Sequence, residues 1–219
     1  MKIFLASTHL DEITWATSIG LADAVYTTPA LFNEIEHDER ELIAAICSAT
    51  TVPVAVSVSH LEADEVYRDA RELARISDQV VVQIPFLEDT IGAIARLSSD
   101  GVRVAATLVF NPAQAVLASK IGASAVVTSL SRLDALGDDA TQVVSQMRAA
   151  LDAHDRECDV IATFARSAAH FTGCALAGAD AITLDAATLH GLLAHPLTDL
   201  GVDQLLTDLG HHQKPRVLP

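Results

Sequence analysis

The chain has 219 residues, which is the upper end of the usual size of one domain and close to the lower limit for an eightfold α/β barrel. Acidic residues outnumber basic ones by 29 to 14, and the resulting net charge of -15 repels phosphate backbones and anionic membrane surfaces. Nucleic acid and membranes are therefore not expected as partners.

Apolar patterning and the cysteines narrow the class of protein further. Every apolar run is interrupted well before the ~20 residues of a membrane span. Ser7 and Asp11 follow the start of the chain too closely for a signal peptide, which predicts a cytoplasmic location. Three widely spaced cysteines without a CxxC pair argue against a disulfide framework and a structural zinc site. They are predicted to be buried free thiols.

Short β-rich runs alternate with amphipathic stretches along the whole chain. Most runs are continuous in Val, Ile, Ala and Leu, which is typical of strands covered on both faces. There are eight of them, at residues 3–7, 24–28, 53–58, 80–84, 104–109, 125–129, 160–164 and 181–184. Eight such units without a linker predict a closed (β/α)8 TIM barrel, an α/β fold, over residues 1–194. The alternative is an open, doubly wound sheet.

Residues 195–219 are predicted to add a C-terminal helix and a tail to the same domain. A short helix over residues 186–194 precedes them. The C-terminal helix is expected over residues 201–209, with Thr198 as its N-cap and Gly210 closing it. Its apolar face is expected to pack against a second subunit, which predicts a homo-oligomer.

In a barrel of this kind the active site lies at the carboxyl ends of the strands. The residues at those ends are rich in hydroxyl groups, contain no lysine and include two arginines, Arg132 and Arg166. Guanidinium groups match phosphate oxygens in geometry, which predicts an anion site at this rim. The alternative is that each arginine pairs locally, with Asp134 or with Asp185.

Histidines and paired carboxylates give weaker signals. His9 and His60 follow strands one and three, where they could form an acid–base pair or bind a metal, but no third ligand stands at a known spacing. The same argument applies to the adjacent His211 and His212, which are interpreted as part of a polar tail. The pair Asp138–Asp139 is interpreted as the solvated start of a helix. Neither a metal site nor a cofactor is predicted.

Several motifs, spread over nearly the whole chain, point to one family. They lie at residues 10–13 (LDEI), 70–74 (ARELA), 80–85 (VVVQIP), 107–110 (TLVF), 131–134 (SRLD), 175–180 (ALAGAD) and 195–199 (HPLTD). With these motifs the chain resembles the small single-domain transaldolases and the fructose-6-phosphate aldolases allied to them. The resemblance implies a (β/α)8 barrel, a Schiff base between a strand-four lysine and a ketose phosphate, and assembly as a pentamer or decamer.

The residues that the resemblance assigns to Schiff-base chemistry are replaced in this chain. The strand-four lysine is Gln83, whose amide nitrogen is not a nucleophile because its lone pair is delocalised. The strand-one aspartate is Ala6, so no carboxylate remains there for proton transfer. Thr107, Arg132 and Arg166 are retained. The remaining family positions carry other residues, namely Thr28 for Asn, Ser57 for Glu or Gln, Ser129 for an aromatic residue and Phe164 for a phosphate-binding Ser.

No other lysine is placed to replace the missing nucleophile. Lys2 opens strand one at its amino end, Lys120 falls on an outer helix, and Lys214 lies in the tail. No catalytic residue is therefore assigned. The sequence predicts a transaldolase-like barrel without Schiff-base chemistry, acting as a ligand-binding or regulatory pseudoenzyme of sugar-phosphate metabolism.

The expected ligand is a small phosphorylated or otherwise anionic molecule. It is predicted to contact Arg132, Arg166, Thr107, Gln83 and Thr28. Two other functions stay open on the sequence alone. One is an enzyme that uses the rim hydroxyls and histidines for different chemistry, and the other is a transaldolase or aldolase acting on ketose phosphates.

Overall fold

Eight parallel strands form a closed ring and pair in sequence order. The computed structural model describes residues 1–33, 38–154 and 156–209. The last strand pairs with the first, with Lys2 opposite Ala181, so the sheet has no free edge. This confirms the predicted TIM barrel and excludes the open sheet. The strands are β1 (Lys2–Ala6), β2 (Ala24–Tyr26), β3 (Val54–Ser57), β4 (Val80–Pro85), β5 (Val104–Thr107), β6 (Ala125–Ser129), β7 (Asp159–Thr163) and β8 (Ala181–Leu184).

Helices connect the strands on the outside of the barrel. Within the described ranges, none of them combines the length and the apolar character that crossing a membrane requires. A 3-10 turn, Glu88–Thr90, precedes the fifth helix. The α-helices are α1 (Leu10–Ser18), α2 (Pro29–Phe32), α3 (Glu39–Ala49), α4 (Ala63–Ala74), α5 (Ile91–Ser99), α6 (Pro112–Lys120), α7 (Leu130–Leu136), α8 (Ala140–Asp152), α9 (Ala168–Leu176), α10 (Ala186–Leu193) and α11 (Pro196–Asp208).

One buried face of each long helix other than α11 packs against the outside of the barrel. In α4, Val66, Ala70 and Leu73 recur at helical spacing and are buried, while charged side chains cover the opposite face. They share one core with outward-facing strand residues such as Val56 and Ile84. This layer between strands and helices contains most of the buried apolar side chains and holds the strands in register.

Two strands end two residues earlier than the apolar pattern predicts. β2 ends at Tyr26, and Thr28 instead caps α2, where its hydroxyl oxygen accepts a hydrogen bond from the Leu31 N–H at 3.4 Å. β5 ends at Thr107 because Leu108 turns into the left-handed region, with φ of 59°. Both changes start the loop sooner at the carboxyl face of the barrel.

The interior of the barrel has an apolar lower half and a polar upper half. The register places alternate residues inward, with Tyr26 beside Ala55 and Gln83 beside Ala105. The lower half, towards the strand amino ends, is rich in alanine where such barrels usually carry bulky branched side chains. Its inward-facing residues are Phe4, Tyr26, Ala55, Val81, Ala105, Ala125, Val127, Ile161 and Ala181.

The C-terminal helix α11 starts earlier than the sequence predicts. His195 is its N-cap, and the His195 Nδ1 accepts a hydrogen bond from the Leu197 N–H at 3.1 Å. Pro196 follows in the first turn, where the lack of an N–H removes no helical hydrogen bond. Thr198, the predicted N-cap, therefore lies inside the helix. Gly210, predicted to close it, lies outside the described residues, as does the tail that follows.

No residue of α11 is buried against the barrel. Four leucines of the helix and its end are more than half exposed, namely Leu197, Leu200, Leu205 and Leu209. An exposed apolar surface of this length is typical of contacts between subunits. The sequence predicts a homo-oligomer. That assembly stays a prediction, and the exposed leucines of α11 are the surface through which we expect the subunits to contact each other.

The three cysteines are buried and unpaired, as the sequence predicts. Burial raises the pKa of the Cys158 thiol to about 12 and that of the Cys174 thiol to about 11. Burial likewise raises the pKa of Cys47. The thiols therefore stay protonated near neutral pH and behave as small apolar side chains.

Candidate functional site

The carboxyl ends of the eight strands meet at one face of the barrel, and polar side chains point inward there. Parallel strands bring their ends together at the same edge, which is where barrels of this fold build their active sites. The inward-facing residues of this upper layer carry hydroxyl or amide groups, namely Ser57, Gln83, Thr107, Ser129, Thr163 and Thr183. The layer offers hydrogen bonds and no charge.

Gln83 lies inside this layer on β4, at the position where the resemblance implies a Schiff-base lysine. Only 1% of its surface is exposed, and its Nε2 donates a hydrogen bond to the carbonyl oxygen of Thr27 at 2.9 Å. Ser57 is its partner in the register of β3 and β4. The amide thus ties β4 to the end of β2, and its nitrogen provides no nucleophilic lone pair.

A cavity of about 290 Å³ opens among the ends of β1, β2, β7 and β8, and it is called the rim cavity below. It brings together four residues that the sequence marked as site positions. The methyl group of Ala6 stands at the end of β1, where the resemblance described above implies a carboxylate. The lining residues are Ala6, Thr28, Ala30, Leu31, Phe164, Ala165, Arg166, Thr183 and Asp185.

Phe164 narrows the rim cavity and is 43% exposed. Its φ is 63°, a left-handed conformation that is strained for an aromatic residue. Its N–H donates a hydrogen bond to the Thr183 hydroxyl oxygen at 3.0 Å, which helps to hold the turn. Sequence reasoning did not select Thr183, although strict alternation along β8 would have placed it inward with this layer.

Arg166 is an exposed cation in the lining of the rim cavity. In the part of the chain that the structure describes, its guanidinium forms no ion pair within 4.0 Å. Asp185, its expected local partner, instead caps α10 by accepting a hydrogen bond from the Thr188 N–H at 2.6 Å. The Arg166 side chain therefore keeps its hydrogen-bond donors for a ligand or solvent.

Arg132 is placed differently from Arg166. It lies exposed in the first turn of α7 and does not contribute to the lining of the rim cavity. Asp134, its expected local partner, lies 3.4 Å from the His170 Nε2. The structure thus brings Arg166 and Thr28 together and leaves Arg132 on a neighbouring loop-and-helix segment of the same face.

Thr107 and Ser129 end the neighbouring strands β5 and β6. The Thr107 carbonyl oxygen accepts a hydrogen bond from the Phe86 N–H at 2.9 Å, which joins the loop after β4 to β5. The Ser129 hydroxyl lies 3.3 Å from that of Ser131. Neither residue lines the rim cavity.

The histidines near the strand ends are apart from this layer. His9 is the exposed N-cap of α1 and makes no side-chain cap hydrogen bond. The His60 Nδ1 lies 3.5 Å from a carboxylate oxygen of Asp69. Across the described ranges, no group of three or more His, Cys, Asp or Glu residues could hold a metal ion. His211 and His212 lie outside those ranges.

Asp139 starts a helix, as the sequence predicts. Its carboxylate accepts hydrogen bonds from the N–H groups of Thr141 and Gln142 at the N-terminus of α8. The hydrogen bond from the Thr141 side chain, followed by those from the backbone, lowers the pKa of Asp139. It is a capping residue with no connection to the rim cavity.

The two lysines in the described ranges lie away from the carboxyl face. Lys2 opens β1 at the amino face, where its Nζ lies 2.9 Å from an oxygen of Asp159. The hydrogen bond to Asp159 raises the pKa of Lys2, which favours the protonated and non-nucleophilic form. Lys120 ends the outer helix α6. Lys214 lies outside the described residues.

The closed eight-stranded barrel, with polar side chains at the carboxyl ends of its strands, defines a TIM-barrel protein. The sequence matches the transaldolase/fructose-6-phosphate aldolase family over residues 5–215. It is 38% identical over 216 residues to a probable transaldolase of Prosthecochloris aestuarii, covering 95% of this chain and 97% of that protein.

Two further relatives show a similar extent of identity. The chain is 36% identical over 214 residues to a probable transaldolase of Bdellovibrio bacteriovorus, covering 98% of this chain and 100% of that protein. It is 35% identical over 208 residues to one of Clostridium perfringens, covering 95% and 97%. The chain therefore belongs to the transaldolase/fructose-6-phosphate aldolase family.

Proposed function

We propose that this chain is a transaldolase-family barrel that has lost Schiff-base chemistry and serves as a ligand-binding or regulatory protein of sugar-phosphate metabolism. The observation that carries the proposal is the buried amide of Gln83 at the strand-four position, with its nitrogen bonded to the Thr27 carbonyl oxygen. An amide there cannot form an imine with a ketose. At the end of β1, Ala6 provides no acid or base.

Trapping of the imine tests the loss of Schiff-base chemistry. The protein is incubated with fructose 6-phosphate, reduced with borohydride and measured by intact mass. No adduct is expected on the wild-type chain because its described lysines lie away from the carboxyl face. Gln83→Lys, which places an amine on β4, and Gln83→Met, which does not, are the matched variants. A stoichiometric wild-type adduct on Lys2 or Lys120 would overturn the proposal.

The proposed ligand is a small phosphorylated or otherwise anionic molecule bound at the rim. Its anchor is Arg166, an exposed guanidinium that lines the rim cavity together with Thr28 in a chain of net charge -15. The net negative charge of the chain repels anions at a distance, so Arg166 attracts an anion only in its immediate surroundings. Thr107, Arg132 and Gln83 belong to the same face, and are proposed as further contacts from the other strand ends.

Calorimetry with inorganic phosphate and with fructose 6-phosphate tests the anion site. Arg166→Ala is expected to weaken binding about tenfold or more, because a charge-assisted hydrogen bond contributes about 1.5–3 kcal/mol. Arg68→Ala, which removes an exposed arginine of α4, is the matched control and should leave binding unchanged. Equal binding by wild type and an Arg132→Ala/Arg166→Ala double variant would refute the site.

We further propose a cytoplasmic homo-oligomer, a pentamer or decamer as the family resemblance implies, without nucleic acid or membrane partners. The exposed leucines of α11 support the contact between subunits. Light scattering measures the assembled mass. A single subunit of 23.1 kDa in solution would contradict the assembly.

A further inference from the structure

A second cavity, of about 460 Å³, lies in the lower half of the barrel and is called the basal cavity below. It is at the face opposite the rim cavity, among the amino ends of the strands. Its volume falls within the ~300–1,000 Å³ typical of small-molecule sites. The lining residues are Lys2, Phe4, Asp23, Ala24, Tyr26, Pro53, Ala55, Val81, Arg103, Ala105, Ser124, Ala125, Asp159 and Ile161.

The basal cavity exists because small side chains replace large ones inside the barrel. Four alanines line it, on β2, β3, β5 and β6, where barrels of this fold usually carry Val, Ile or Leu. Each such replacement removes two or three carbon atoms from the centre. The outer side of the same strands is packed, as at Ala106, which is fully buried between strand and helix.

Tyr26 adds a hydroxyl group to the lining of the basal cavity. Only 5% of the residue is exposed, and its hydroxyl makes no hydrogen bond with any residue that the structure describes. Burial raises the pKa of Tyr26, so the hydroxyl keeps its proton and can both donate and accept a hydrogen bond. A cavity-lining residue whose hydroxyl has no protein partner favours binding of a molecule that supplies one.

The charged residues at the mouth of the basal cavity already have partners. Lys2 pairs with Asp159 at 2.9 Å, and a carboxylate oxygen of Asp23 accepts a hydrogen bond from the Ile3 N–H at 2.7 Å. Arg103 donates to the carbonyl oxygen of Asp78 at 2.5 Å. Two cations and two anions leave the mouth without net charge. It offers no attraction to a phosphate or another ion.

We propose that the basal cavity binds a small, neutral, largely apolar ring compound carrying one hydrogen-bonding group. The ring would pack among Phe4, Val81 and the alanines, and its polar group would bond to the Tyr26 hydroxyl. Ordered water beside Tyr26 is a poor occupant, because each molecule needs two to four polar partners and Tyr26 packs in a cluster with apolar residues such as Phe4 and Val81. The site is independent of the anion site at the rim.

Binding of indole and of indene tests the proposal, because the two have nearly the same shape and only indole has an N–H donor. Calorimetry of the full chain is expected to show indole binding about fivefold tighter than indene, the effect of one neutral hydrogen bond. Tyr26→Phe should keep indene binding and remove the preference. A preference that survives in Tyr26→Phe would overturn the role of the hydroxyl.

Two adjacent alanines of β5 make a matched pair for the cavity itself. Ala105→Leu points into the basal cavity and is expected to abolish indole binding while leaving the melting temperature near that of wild type. Ala106→Leu points into the packed outer layer and should lower the melting temperature by overpacking. Unchanged indole binding by a folded Ala105→Leu variant, or no binding of either probe to wild type, would overturn the proposal.

Discussion

Replacing Gln83 with lysine places an amine at a site whose residue is only 1% exposed. Burial of this degree lowers the pKa of a lysine by about three or more. Three pKa units correspond to about 4 kcal/mol of differential free energy between the two protonation states. The Nζ could still donate to the Thr27 carbonyl oxygen, as the Gln83 amide does at 2.9 Å, so the cost is that of the charge.

Because burial lowers the pKa of the introduced lysine, the stability of Gln83→Lys should depend on pH. A folded-state pKa below the unfolded value means that the folded variant binds fewer protons. Gln83→Lys should therefore lose up to about 4 kcal/mol of unfolding free energy at pH 7 or below. The loss should shrink as pH rises and vanish above about pH 10.4, the ordinary lysine value. Urea unfolding at both ends of this range measures it, with Gln83→Met as the neutral control.

Catalysis by Gln83→Lys is expected to be slight despite its lowered pKa. The amine still lacks a proton-transfer partner, since Ala6 presents a methyl group and Phe164 narrows the rim cavity. Adding Ala6→Asp, Thr28→Asn and Phe164→Ser should raise fructose 6-phosphate cleavage above that of the single variant, because such residues act as a unit. Substantial turnover by Gln83→Lys alone, or equal unfolding free energies of the two Gln83 variants at pH 7, would refute this reasoning.

Three further predictions concern assembly, thiols and stability. Truncation after Ala194 should reduce the mass measured by light scattering to that of one subunit; an unchanged mass would show that α11 has no role in assembly. At pH 8 the raised pKa values, about 12 for Cys158 and about 11 for Cys174, should make alkylation slow until the protein unfolds, and rapid labelling of the native chain would contradict this. Arg148→Ala should lower the free energy of unfolding in urea by about 2 kcal/mol, because Arg148 Nη1 donates hydrogen bonds to Asp180 at 2.7 Å and to the Cys158 carbonyl oxygen. A decrease below about 0.5 kcal/mol would contradict this prediction.

Much of the fold could be predicted because burial on both faces gives a parallel strand a continuous apolar run. All eight predicted runs contain strands, and only the ends differ. β5 ends early because Leu108 adopts a positive φ, which no residue-type preference announces. The sequence predicts the start of α11 too late because Thr198 is a good cap by residue type, whereas the His195 imidazole caps the helix one turn sooner.

The candidate site was less predictable because it depends on the register between strands. Motifs identified Gln83, Ala6 and Arg166 as individual positions, and the barrel places Ala6 and Arg166 in one cavity. Nothing local in the sequence says that Arg132 lies outside that cavity. The basal cavity was missed for the same reason, since the alanines that form it lie on four separate strands and become neighbours only when the ring closes.

Closure of the ring through β1 and β8 has a consequence for how the protein is made. Lys2 pairs opposite Ala181, so the first strand has no neighbour on one side until nearly the whole barrel has left the ribosome. At about 5–20 residues per second, this takes roughly 10 to 35 s. During that time the unpaired edge of β1 is a template for strands of other nascent chains. Yield in the cell should therefore respond to elongation rate and to chaperones that cover strand edges.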